Sequence, residues 1–340
     1  MKRYVLLTGG SGYIGSHTAV SLINHGYDVV ILDNLSNSDK TVINKIEKIT
    51  GVSVPFYQID IRDHDGLENL FTKYRFDAVL HFAGLKSVEE STKAPIKYYE
   101  NNVCGTVNIL KVMDNHEVKK IVFSSSATVY GVQEKMPITE DAPIAPYNPY
   151  GRSKYFVEEI LHDQSSADRR FSVAILRYFN PVGAHESGLI GENPIGEPNN
   201  LMPYIAQVAS GNRKVLNIFG ADYPTKDGTG VRDYIHVVDL AEGHVLALDY
   251  LFDHTGLYIW NLGAGQGYSV RGMVQAFERA CGCHVPYKIC PRRPGDVAVC
   301  YADVSKAKKE LDWQAKKSLN EMCEDSWRWE INRQKNNDSI

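Results

Sequence analysis

No stretch of this chain approaches the roughly 20 consecutive apolar residues that a membrane-spanning helix needs. No basic excess is present either: 37 Lys and Arg stand against 41 Asp and Glu, a formal net charge of -4. A domain that grips nucleic acid carries the opposite imbalance, so that class of partner is excluded. Cysteine is sparse, at six in 340 residues, and Cys281-x-Cys283 with Cys290 and Cys300 beyond does not have the spacing of a zinc site. We therefore expect no metal site, no structural disulfide and a cytoplasmic protein. Internal repeats and low-complexity tracts are also missing. The charged start Met1-Lys2-Arg3 is followed by only four apolar residues before glycines intervene, which reads as a first strand rather than a signal peptide. What remains is ordinary globular composition, 43% apolar and 23% charged, in a chain long enough for one large or two medium domains.

One stretch organises the rest: Tyr150-Gly151-Arg152-Ser153-Lys154, preceded by Pro149 and followed by Phe156, Val157, Ile160 and Leu161 at helical spacing. Proline is well tolerated in a first helical turn, where its missing N–H has no intrahelical partner to lose. Tyr150 is thus expected in the opening turn of an amphipathic helix, with Lys154 on the same face. An ammonium nearby favours the phenolate form of a tyrosine. Such a pair can take a proton from a sugar or alcohol hydroxyl, although the spacing also suits a solvated surface pair.

The chain opens with a short apolar strand, Tyr4-Val5-Leu6-Leu7, and then a loop in which Gly9, Gly12 and Gly15 recur every third residue before a helical segment at 16–25. Glycines there allow a tight turn and close approach of backbone to a pyrophosphate, which the N–H groups of a helix N-terminus would hold. The second strand, 28–32, ends in Asp33, placed to accept both ribose hydroxyls of an adenosine and to repel a 2′-phosphate. No Arg within 34–38 would welcome that phosphate, so the cofactor expected is NAD. Strands are expected next at 52–57, 78–82, 119–123 and 172–176, with helical stretches between. That alternation predicts an α/β fold with a Rossmann-type doubly wound parallel sheet. Ligands of such sheets sit beyond the C-terminal strand ends, where Gly9, Asp33, Asp60, Phe82 and Ser126 all fall.

Beyond 177 the texture changes. Residues 185–200 are rich in Gly, Pro, Asn and Glu, a long loop of the kind that is usually functional. A helix at 201–210, strands at 216–219, 231–237 and 256–262, a helix at 241–249, a Pro-Arg turn at 291–296 and a final helix from 318 to about 333 complete the pattern. We expect 1–180, with returning segments at about 231–262, to form the NAD-binding domain, and 181–340 to be mainly a smaller mixed α/β lobe for the substrate.

Taken together, the segments 8–15, 81–86, 124–131, 150–154, 177–184, 199–205 and 228–237 are similar to those of the extended short-chain dehydrogenase/reductase family, and over nearly the full length the chain resembles its UDP-sugar 4-epimerases. The first and fourth segments are general to the superfamily, while the others are more specific. The resemblance implies interconversion of UDP-galactose and UDP-glucose through a 4-keto sugar, with transient reduction of a tightly held NAD. By position it puts Gly9, Gly12, Tyr13, Ile14 and Gly15 at the pyrophosphate, Asp33, Asn34 and Ser38 at the adenosine ribose, and Asp60 and Ile61 at the adenine. Phe82, Ala83, Lys86, Asn101, Lys154 and Phe179 would line the nicotinamide half, and Ser126, Tyr150 and Lys154 would be catalytic. Asn180, Asn200, Leu201, Phe219, Arg232, Arg293 and Asp296 would grip the nucleotide, with Lys86, Ser126 and Tyr150 at the sugar. Cys300 stands where some members carry Tyr; the smaller side chain would admit the N-acetylated pair, UDP-GlcNAc and UDP-GalNAc. A homodimer through helices around 92–115 and 150–163 is also implied.

Two other readings compete. A nucleotide-sugar 4,6-dehydratase needs extra acid–base groups, usually an Asp-Glu pair after the Thr of the Ser-rich strand end, but here Val129 and Tyr130 follow Thr128. A non-catalytic NAD-binding sensor could lose Ser126, Tyr150 or Lys154 freely, yet all three are present.

Overall fold

The computed structural model describes residues 3–198, 200–293 and 295–337. Met1 and Lys2 of the charged start, Asn199 of the 199–205 segment and Pro294 of the Pro-Arg turn lie outside the described residues. Strands β1 (Tyr4–Thr8), β2 (Asp28–Asp33), β3 (Phe56–Gln58), β4 (Ala78–His81), β5 (Lys120–Ser126) and β6 (Ser172–Tyr178) precede β7 (Asn180–Val182), β8 (Leu216–Phe219), β9 (Val231–His236) and β10 (Leu257–Leu262). Seven of these make one sheet in the order β10-β6-β5-β4-β1-β2-β3, with every neighbouring pair parallel.

Its strands are near-continuous apolar runs because helices cover both faces. Successive side chains alternate across the sheet. Val5, Leu7, Ile31 and Leu80 share a core with the helices Tyr13–Asn24 and Val237–Asp253. Leu6, Val30, Val79 and Ile121 face the other way, towards His64–Lys73, Gly105–Asn115 and Pro149–Ala167. The strand order reverses at β1, between β2 and β4, which places a ligand crevice at the C-terminal ends of those strands.

Two expected boundaries move. β3 begins at Phe56, not at residue 52, because Gly51 caps the preceding helix at φ +71 and Pro55, with no N–H, donates nothing to the ladder. β5 runs on through Ser124, Ser125 and Ser126, held in register with Leu176, Arg177 and Tyr178 of β6, so the serines are strand residues rather than the loop that follows.

The remaining strands are β11 (Gly267–Ser269), β12 (Tyr287–Cys290) and β13 (Val299–Cys300). β9 pairs with β11, β13 and β7, and β12 pairs with β8. The helices Leu201–Ala209, Val270–Cys281 and Leu319–Asn337 close over a third core that includes Ile205, Ile218, Phe277 and Met322. The chain crosses between the two halves at points other than the expected 231–262. β9 belongs to the small sheet, whereas Ala307, Leu311 and Trp313, far along the chain, are buried in the core of the large one. The apolar spacing of 307–313 is short and was not read as part of that core.

Candidate active site

Tyr150 stands in the first turn of the helix Pro149–Ala167, whose N-cap, Asn148, accepts a bond from the Gly151 N–H at 2.8 Å through its side-chain oxygen. The Tyr150 hydroxyl is hydrogen-bonded with Ser126, at the end of β5. Ser126 Oγ also lies 2.9 Å from Thr128 Oγ1 and accepts from the Thr128 N–H at 3.2 Å. Loss of water around the phenol raises its pKa, while the Ser126 bond and the charge of Lys86 pull it back. The cation acting on Tyr150 is thus Lys86, not the Lys154 that sequence spacing suggested. Lys154, 6% exposed, donates instead to the Ser124 C=O at 2.7 Å, and burial lowers its pKa to about 8.

Beneath this group lies a buried network that sequence reasoning missed. Arg177 Nη2 meets Glu158 Oε2 at 2.6 Å, Arg177 Nη1 donates to the Tyr130 hydroxyl and to the Glu140 C=O, and Ser125 Oγ donates to Glu158. The Tyr130 hydroxyl in turn donates to Asn261 Oδ1 at 2.6 Å. The network ties β5, β6, β10 and the Tyr150 helix together, so it fixes where Ser126 and Tyr150 point. Its one sequence signal was Glu158, a carboxylate beside Val157 and Leu161 on the apolar face. A second omission is Asn102, buried in the π-helical turn Tyr99–Cys104. It accepts from the Leu85 N–H and from Asn101 Nδ2, and donates to the Leu85 C=O and to Ser153 Oγ. Asn101, singled out by position, therefore sits beside the residue that fixes the 84–86 loop against the Tyr150 helix. The third is the pair Tyr178 and His244, whose hydroxyl and Nε2 are 3.0 Å apart, with the His244 ring 4.9 Å from that of Phe82. Burial lowers the His244 pKa to about 4, so the ring is neutral at physiological pH.

The cradle at the β1–β4 switch point suits a dinucleotide. Gly9, at φ +70, lies so close to β4 that a Cβ there would be 2.7 Å from Ala83 N; one at Gly15 would be 2.4 Å from Gly9 O. Gly12 is the N-cap of the helix Tyr13–Asn24 and has no side chain to claim the first N–H groups. The Asp33 carboxylate, 7% exposed, accepts from the Ser11 N–H, the Leu35 N–H and Ser38 Oγ. Asn34 Nδ2 donates to Asp60, which Arg62 also grips and holds well below the usual carboxylate range. Ile61 is buried, Ile14 packs on the large core, and the Tyr13 hydroxyl crosses to donate to the Gly183 C=O at 2.7 Å.

In the smaller half, Arg232 of β9 is in register with Cys300 of β13, and its Nη2 lies 3.7 Å from Asp296. The Arg293 guanidinium sits 3.9 Å over the Phe219 ring, a cation–π pair at the open edge of β8. Phe179 is buried with Val129, Tyr130 and Ala302, and Cys300 packs against that cluster; burial lifts its thiol pKa to about 11. Asn180 opens β7 and is exposed, while Leu201 packs on the lobe's core. Asn200 and Lys86, expected at the substrate, meet on Glu192: its Oε1 accepts from Asn200 Nδ2 at 2.7 Å and from Lys86 Nζ at 2.9 Å.

Comparison with known proteins agrees with this geometry. The profile of the family described as GDP-mannose 4,6 dehydratase matches residues 6–326. The UDP-glucose 4-epimerase of Bacillus subtilis is 59% identical over 326 residues, 96% of each chain. Among solved structures, the UDP-glucose-4-epimerase of Stenotrophomonas maltophila with bound NAD and formylated UDP-arabinopyranose superposes with a TM-score of 0.97 at 51% identity, covering 98% of this chain and 99% of that one. The Bifidobacterium longum UDP-glucose 4-epimerase in complex with NAD+ and UDP gives 0.94 at 52% identity, covering 97% and 99%.

Proposed function

Because the chain belongs to the extended short-chain dehydrogenase/reductase family profiled as GDP-mannose 4,6 dehydratase, and within it to the UDP-glucose 4-epimerases, we propose that it interconverts UDP-galactose and UDP-glucose through a 4-keto sugar. NAD is the cofactor, and what it supplies when bound is reversible acceptance of the C4 hydride. The carbon to be inverted adjoins no carbonyl, so its hydrogen is not acidic and direct deprotonation is closed. The Tyr150 phenol, as phenolate, takes the proton of the C4 hydroxyl. Ser126 bonds the same oxygen and relays the proton. Lys86 supplies the positive field that favours the phenolate, and Lys154, fixed on Ser124, orients the nicotinamide ribose. Arg232, Arg293, Phe219, Asn180, Asn200, Leu201 and Asp296 grip the UDP, leaving the sugar free to turn and receive hydride on its other face.

The observation that carries this reading is the Tyr150–Ser126 hydrogen bond at the C-terminal end of β5, beside the crevice where Ala83 meets Gly9. A 4,6-dehydratase would need an acid–base pair after Thr128, where Val129 and Tyr130 are buried apolar residues. Incubating the purified protein with UDP-galactose, without added NAD, tests it. Epimerisation gives a product of unchanged mass; a product lighter by one water, or no turnover, would contradict the proposal.

Three finer readings go with it. Cys300, small and packed on the Phe179 cluster, leaves room beside the sugar for an N-acetyl group, so UDP-GlcNAc and UDP-GalNAc are substrates as well. Exposed Ile96 and Phe156, with Tyr99 stacked on Phe156 at 5.8 Å, form an apolar face on the helices expected to make a homodimer, which light scattering would test. Six free thiols suit a reducing compartment, hence the cytoplasm.

A further inference from the structure

The loop 185–200 carries a carboxylate that the reaction above does not use. Its backbone is pinned at one point. A Cβ on Gly191 would lie 2.5 Å from the Trp329 ring, and Trp329 Nε1 donates to the Glu192 C=O at 3.1 Å. The C-terminal helix therefore clamps the loop where Glu192 turns inward. The Glu192 side chain is 9% exposed, and one of its oxygens accepts from both Lys86 and Asn200. Lys86 comes from the loop after β4 in the cofactor half, and Asn200 precedes the helix Leu201–Ala209 of the substrate half. One carboxylate oxygen thus joins the two halves at the cation that acts on Tyr150.

We propose that Glu192 is a positioning residue for the epimerisation: by holding Lys86 and Asn200 together, its carboxylate sets how much of the Lys86 charge reaches the Tyr150 phenol. The proposal rests on Tyr150 being the base. A carboxylate in contact with an ammonium cancels much of that ammonium's field at a third group. Removing the negative charge while keeping the two bonds should leave Lys86 acting on Tyr150 uncompensated. The other titratable groups around the pair are accounted for. On the site side they are Lys154, engaged with the Ser124 C=O, and Tyr178, paired with His244. Behind Glu192 is a cavity of about 380 Å³ lined by Tyr13, whose hydroxyl is bonded to Gly183, and by Glu330 and Arg333, which pair with each other at 2.8 Å.

The test is Glu192→Gln, which keeps an oxygen acceptor and removes the charge, in the NAD-loaded enzyme. Ionisation of Tyr150 is read from tyrosinate absorbance, with Tyr150→Phe subtracted, and separately from the acidic limb of kcat against pH. Both should move to lower pH together, by about half a unit or more. KM for UDP-galactose should rise a few-fold as Asn200 loses a charge-assisted bond. In a Lys86→Met background the same substitution should move neither readout. A shift smaller than about 0.2 unit, or one that persists without Lys86, would overturn the proposal. If the wild type proved unable to epimerise, the assignment of function would fail, while the tyrosinate titration would still decide the link from Glu192 through Lys86 to Tyr150.

Discussion

In the large sheet, β6 buries all seven of its residues and β4 all four; in the smaller half, β12 leaves three of its four exposed. The cofactor half is held by repeated apolar burial, a sum of many small contributions spread over two cores. The substrate half is held at separate points by single polar groups. Asp233 accepts from the N–H groups of Ala264, Gly265 and Ala302 and so joins β9 to the segments after β10 and β13. His236 meets Asp325 at 3.2 Å, and Glu192 fixes its loop in the same manner. The division suits the chemistry: a rigid sheet carries base and cofactor, and a lobe of individually tied loops closes on the nucleotide and leaves the sugar room to turn.

The largest effect should come from the residue that serves both halves. Tyr150→Phe keeps the ring and removes the proton acceptor, so turnover should fall by about 10²–10⁴-fold with NAD still bound. Retention of more than about a tenth of wild-type turnover would remove Tyr150 from the mechanism. Next comes a point tie. Asp233→Ala strands three backbone donors and should cost about 2–3 kcal/mol, given the penalty of an unsatisfied buried group. The loss should appear as a lower Tm and weaker UDP binding, with NAD retained; simultaneous loss of NAD would erase the distinction between the halves. The same carboxyl gives a pH signature. Burial raises its pKa to about 6. Between its usual value near 4 and that value the folded state binds a proton that the unfolded state does not, so its contribution to stability falls as pH rises through this window. Asp233→Asn should flatten that part of the stability profile.

A smaller effect, confined to the other half, is expected from Gly15→Ala. The new Cβ would meet Gly9 O and Gly10 Cα at 2.4 and 2.8 Å, and overpacking of this kind weakens binding by about ten- to a hundredfold. NAD should no longer co-purify fully while UDP binding persists; unchanged cofactor content would contradict the cradle. The smallest is Cys300→Tyr, which should lower kcat/KM on the N-acetylated pair by about tenfold and largely spare the plain pair. Equal loss on both pairs would remove Cys300 from the sugar pocket.

The same contrast explains what the sequence disclosed. The glycine loop, Asp33 at the end of β2 and Tyr150 near a helix start are contiguous patterns whose geometry follows from strand, turn and helix periodicity. The parallel sheet could be read for the same reason. The Glu158–Arg177 pair, Asn102 under Leu85, Tyr178 against His244 and Glu192 between Lys86 and Asn200 join residues far apart in the chain, and no local period marks them. Single-chain spacing also misassigned the cation: Lys154 shares a helix with Tyr150, but its ammonium turns to Ser124, and Lys86 arrives from another loop. The short strands β11, β12 and β13 were not legible because their register is set by partners in β8 and β9 rather than by their own apolar alternation.

The central claim is that C4 is inverted by removal and return of the same hydrogen inside one closed cycle. It is tested most directly by giving the purified protein UDP-[4-²H]galactose in ordinary water, with no nucleotide added, and locating deuterium in the UDP-glucose formed. The account predicts that the label stays at C4 of the product. Loss of deuterium to solvent, or its appearance at another carbon, would contradict it.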